Sequence, residues 1–171
     1  MADYFDWAGF QALAKRLDDL LAGERDDDEF ANDLRRALTF VYTAGITMPT
    51  AGDIFEDSGG TAFADRAVDL NLGSDPARME EALAALVARI AHSVEAAQPE
   101  GDVDDEALGD LAEVAATGLL DVQQALAAGS AYFDSGRLGE ASWEWSFQFD
   151  EWGAQALSAL GALHELLWGA R

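Results

Sequence analysis

Residues 143–149, Trp143-Glu144-Trp145-Ser146-Phe147-Gln148-Phe149, alternate aromatic and polar side chains without a break. A period of two belongs to a half-buried β-strand, so this stretch decides whether the chain contains a sheet. Strand formers elsewhere are scarce: seven Val, three Ile and six Thr, scattered rather than clustered. A strand at 143–149 would have no partner, and its unpaired backbone groups would be costly to bury. Wound at about 100° per residue, the same residues sort differently. Trp145, Phe149 and Trp152 fall on one side, and Trp143 and Phe147 on the opposite side. Between them Glu144, Gln148, Glu151 and Gln155 form a narrow polar stripe at steps of four, three and four. That stripe runs on past the alternation, which a strand would not produce. The segment reads as a helix with two apolar faces, packed centrally between neighbours and extending from about Leu138 to Trp168.

Working outward, helical periodicity dominates the chain. Phe10, Leu13, Leu17 and Leu20 recur at steps of three and four, as do Phe30, Leu34, Leu38 and Val41. Gly23 ends the first of these helices, and the acidic run Asp26-Asp27-Asp28 opens the second, where negative charge suits the helix dipole. From Gly45 to Gly60 the pattern gives way to loop chemistry, with Ile54 and Phe55 as candidate anchors. A short helix is expected from Thr61 to Leu70. Asp75-Pro76 then reads as an N-cap and first helical residue, leading into Leu83, Leu86, Val87, Ile90 and Val94. Gln98 to Asp105 is an acidic turn. A long helix follows, marked by Leu108, Leu111, Ala115, Leu119, Val122 and Leu126, and stops near Gly136. The expected fold is an all-α, single-domain bundle of about six helices over residues 1–171. Its N-terminal helices occupy 1–97, with a loop at 45–60, and a C-terminal helical hairpin occupies 104–168.

Composition narrows the function. Thirty-three acidic residues against ten basic ones give a net charge of −23. Such a surface repels phosphate backbones and anionic lipid, so direct nucleic-acid and membrane binding are disfavoured. It can attract a basic protein partner. With no cysteine there is neither a disulfide framework nor a thiolate metal site or nucleophile. The N-terminal stretch from Met1 to Phe10 is acidic and aromatic, unlike a signal peptide, and no run of eighteen apolar residues exists. The expected compartment is the cytoplasm.

The turn before the last helix carries a further register. Gly129, Tyr132, Gly136, Ala141 and Trp145 stand at steps of three, four, five and four. This resembles the tetratricopeptide repeat, in which small residues let two antiparallel helices approach while an aromatic fills the gap. Ala125 and Gln148 depart from that pattern, and no second copy lies one period upstream. The reading is a single αα-hairpin using the same packing device.

The C-terminal segment also resembles a bacterial domain-of-unknown-function family. Trp143, Glu144, Trp145, Phe147, Phe149, Trp152, Gly153, Ala156, Leu160 and His164 carry the likeness, through the pattern W-E-W-x-F-x-F-x-x-W-G. Basic or His residues are common in that family where Ser146, Glu151 and Gln155 stand here, so this chain departs at those positions. The resemblance implies a helical domain without an established activity.

Two groups of candidate residues emerge. Trp143, Trp145, Phe147, Phe149, Trp152 and Gly153 are core or interaction surface, with core favoured. Glu144, Gln148, Glu151, Gln155 and His164 form a candidate polar site. Hydrolytic chemistry needs a nucleophile or an activated water beside a base, and only two His are present. His92 falls opposite the apolar residues of its helix and is expected in solvent, whereas His164 is expected partly buried and hydrogen-bonded. No nucleophile elbow, phosphate loop or H-E-x-x-H motif occurs. Gly59-Gly60-Thr61 is a weak anion-binding pattern that a plain helix cap explains. No catalytic residue, metal or cofactor is assigned. The leading expectation is a non-enzymatic, acidic protein-interaction or accessory domain, of open oligomeric state. One alternative is a decoy that imitates nucleic acid and occupies a basic DNA-binding protein. Another is a metal-dependent hydrolase using Glu144, Glu151 and His164.

Overall fold

The computed structural model describes residues 5–57, 75–98 and 104–169. Among these the chain forms seven helices and no strand: α1 (Trp7–Ala22), α2 (Phe30–Gly45), α3 (Ala51–Asp57), α4 (Pro76–Ala97), α5 (Asp105–Asp134), α6 (Leu138–Phe147) and α7 (Phe149–Trp168). The alternating stretch holds no strand: Trp143–Phe147 belong to α6, and Phe149 opens α7. The helix expected at Thr61–Leu70, the Gly59-Gly60-Thr61 turn and most of the acidic turn after Gln98 lie outside the described residues.

Helix starts follow local chemistry. Asp6, Asp75 and Asp104 cap α1, α4 and α5, their carboxylates accepting from the backbone N–H groups of Gly9, Ala77 and Glu106. Pro76 occupies the first turn of α4, where its missing N–H costs nothing. The segment expected to be loop holds α3. Thr50 and Asp53 form a capping pair there: the Asp53 N–H donates to Thr50 Oγ1 at 3.2 Å, and the Thr50 N–H donates to Asp53 Oδ2 at 3.2 Å. Ile54 is buried, as an anchor should be.

The C-terminal helix departs from expectation. It is not continuous to Trp168 but breaks at Gln148, whose φ of −89° and ψ of 1° leave the helical region. Gln148 serves both sides of the break. Its N–H donates to Glu144 O at 3.2 Å, closing α6, and its carbonyl accepts from Glu151 and Trp152 at 3.0 Å, opening α7. Such a break strands carbonyls in the last turn of α6. The Trp152 indole N–H donates to one of them, Trp145 O, at 3.0 Å.

Helix α5 packs against α1, α4, α6 and α7, and α7 packs against both α5 and α2. Two glycines set these approaches. A Cβ on Gly118 would stand 2.8 Å from Gln155 O, so the α5 and α7 backbones meet there. A Cβ on Gly129 would overlap the Trp145 indole, which lies in the notch and donates Nε1–H to Leu126 O at 3.1 Å. The chain reverses between α5 and α6 at Gly136, whose φ of 78° suits glycine. Trp7 and Phe10 of α1 close over the other side of Trp145, the first stacked at 6.1 Å and the second edge-on at 5.0 Å.

Long side chains staple the remaining ends. Arg89 of α4 donates to Leu20 O, Leu21 O and Arg25 O at 3.0–3.1 Å and covers the Phe30 ring at 4.2 Å. Gln98 donates to Leu166 O and Leu167 O at the end of α7. The buried Ser93 hydroxyl accepts from the Ala31 N–H in the first turn of α2. No helix among the described residues is long and apolar enough to cross a membrane.

Candidate functional site

The polar stripe becomes one wall of a groove of about 490 Å³. Glu144 of α6, Gln148 at the break, and Glu151 and Gln155 of α7 all line it. The opposite wall is α5, which contributes Asp121, Gln124, Ala125 and Ala128, and the buried Trp152 forms part of the lining. Gln148 Nε2 donates to Glu144 Oε1, fixing two members of the stripe against each other. Three carboxylates and three carboxamides thus line one groove, and no Lys or Arg belongs to the lining.

Asp121 and Gln124 are absent from the candidate site residues of the sequence, where they stand only as polar residues within the apolar pattern of α5. Their spacing of three places both on one helical face, but nothing in the sequence says that this face meets the stripe. Partial burial pushes the Asp121 carboxyl above its ordinary value, and the negative charge of Glu151 adds to the shift.

The aromatic signature divides. Trp145 and Trp152 are wholly buried, Gly153 is buried, and Trp143 and Phe149 are half-buried. Phe147 is 63% exposed, so the second apolar face is not buried throughout as expected, although Trp143 packs partly against the core. The α5 side of α6 takes up Trp145, and the opposite side meets solvent around Phe147. His164 differs too. It is exposed rather than partly buried, its ring 5.2 Å from that of Trp168, and it does not line the groove. The helix turns it outward because Leu163, Leu166 and Leu167 take the inward positions around it. His92 is exposed, as its helical position requires. Among the described residues no group of three or more His, Asp or Glu is arranged to hold a metal ion.

A family model for a domain of unknown function (DUF5063) matches residues 17–168. The chain belongs to this family. The DUF5063 match runs from within α1 to the last residue of α7, so it takes in the groove, the Gly129 notch and the N-terminal helices alike. No curated protein and no solved structure matches the chain.

Proposed function

We propose that this DUF5063 domain is a non-enzymatic interaction module whose groove receives positively charged side chains of a basic protein partner. The observation carrying this reading is the lining: Asp121, Glu144 and Glu151 share it without a cationic residue, on a chain of net charge −23. Like-charged groups in a concave, partly desolvated site reinforce one another's field and favour a cation entering between them. The carboxamides of Gln124, Gln148 and Gln155 offer carbonyl oxygens to the N–H groups of the same cation.

Titration calorimetry with an N-acetylated hexalysine peptide tests this. The expected result is saturable binding that weakens with salt, and a loss on the order of tenfold, equivalent to about 1.4 kcal/mol, when Glu144→Gln and Glu151→Gln are combined. Binding unaffected by the double substitution would place the contact elsewhere on the surface. A divalent cation that binds the wild type stoichiometrically and is lost in the double variant would replace the peptide reading with a metal site.

A further inference from the structure

Trp143 and Phe147 of α6 lie outside the groove lining. They form a ledge, their rings stacked with centroids 4.7 Å apart and planes inclined by 11°. Phe147 is 63% exposed while Trp143 is half-buried, so the indole backs the phenyl ring and leaves it facing outward. Glu144 lies three residues before Phe147 and is therefore its neighbour on the helix surface. The same Glu144 lines the groove. An aromatic face and a carboxylate wall thus meet along one edge of α6.

We propose that the Trp143–Phe147 ledge is a docking surface for an arginine-bearing segment of a basic partner protein. The proposal rests on the interaction reading above and names the side chain that the ledge selects. Charge chooses the occupant. A second copy of this chain would bring a further −23 against the first, and nucleic acid or an anionic bilayer would be repelled in the same way. A cationic segment is attracted to both the carboxylates and the negative face of the exposed ring. Arginine fits better than lysine because its guanidinium is planar and weakly hydrated. It stacks on an aromatic face while its edge N–H groups still reach a carboxylate. The protein treats its own Arg137 in this way: the guanidinium carbon lies 4.7 Å from the Tyr132 ring centroid while Nη2 stands 3.0 Å from Glu140 Oε1.

The test compares N-acetylated hexa-arginine and hexalysine peptides, titrated into the full chain at moderate salt. Wild type should bind hexa-arginine more tightly. Phe147→Ala should lower hexa-arginine affinity roughly 2- to 30-fold, leave hexalysine nearly unchanged, and so erase the preference. Because Phe147 is mostly exposed, the variant should unfold at nearly the wild-type temperature, which a thermal scan verifies. Phe147→Leu keeps apolar bulk without the ring and should erase the preference as well, whereas Phe147→Tyr should retain it. Equal binding of both peptides by wild type, or hexa-arginine affinity indifferent to Phe147→Ala, overturns the ledge and leaves the acidic groove standing. Failure of both peptides to bind overturns the ledge together with the reading beneath it. A wild-type dimer that Phe147→Ala dissociates in sedimentation would give the ledge to a second copy and overturn the proposal by that route.

Discussion

The two sides of α6 use the same residue types for opposite purposes. On one side Trp145 sits in the Gly129 notch, hydrogen-bonded and fully dry, with Trp7 and Phe10 closing over it. On the other, Trp143 and Phe147 stack on each other, and the phenyl ring faces water beside the carboxylate groove. Ring content does not separate the two sides. What separates them is whether a neighbouring helix has a small residue opposite the ring. Gly129 supplies that room for Trp145, and Gly45 supplies it for Trp152 and Phe149. The lesson is that the two indoles of the signature are core where a glycine on a neighbouring helix makes space for them.

The sharpest way to break this comparison is to empty the dry side. Trp152→Ala removes a fully buried indole and the N–H that satisfies the Trp145 carbonyl. A loss of about 3–5 kcal/mol in chemical unfolding is expected; a loss as small as that of an exposed residue would contradict the core assignment. Filling the notch instead of emptying it comes next. Gly129→Ala gains helix propensity, yet its methyl group overlaps the Trp145 ring, and the net cost should be about 1–3 kcal/mol. A stabilised Gly129→Ala protein would show that the notch has slack.

The smallest effect belongs to the wet side and has the opposite sign. The folded state holds the Asp121 carboxyl above its ordinary value of 3.8, so the folded chain keeps that proton more tightly than the unfolded chain does. Ionisation therefore costs stability. The penalty is absent below about 3.8, grows as pH rises through the raised folded value, and is complete at neutral pH. Asp121→Asn should stabilise the domain at neutral pH by less than about 1 kcal/mol, since solvent screens the exposed part of the carboxylate. In acid, below the ordinary value, the difference should vanish. Unfolding curves at the two pH values check both the sign and the window.

The sequence made the helical reading of 143–149 available because the stripe Glu144, Gln148, Glu151, Gln155 keeps its period beyond the alternation. The same stripe hid the break. Its steps of four, three and four cross Gln148 without a change of phase, so a one-residue departure from the helix leaves no mark on the pattern. Helix α3 was concealed differently. Pro49 and Gly52 read as loop, while the Thr50–Asp53 pair that starts the helix is a short local signal. The groove was half legible: the stripe was visible, but its junction with Asp121 and Gln124 depends on how α5 lies against α6 and α7. The burial of His164 was not legible, because a single helical position says little about burial until the neighbouring helix is in place. The Gly129–Trp145 notch was readable, since a small residue and a large one at a fixed distance across a turn state their own packing.

The Arg89 staple has a consequence for the order in which the chain is made. The carbonyls that Arg89 satisfies at the end of α1 precede it by up to 69 residues. At the same helix, Gln11 donates to Asp134, 123 residues further on, and Trp7 and Phe10 await Trp145. Translation therefore delivers α1 before these partners, which follow in stages. Its C-terminal carbonyls are answered once α4 has emerged, and its aromatic face only once α6 has. The contacts of α1 are among the last to be completed.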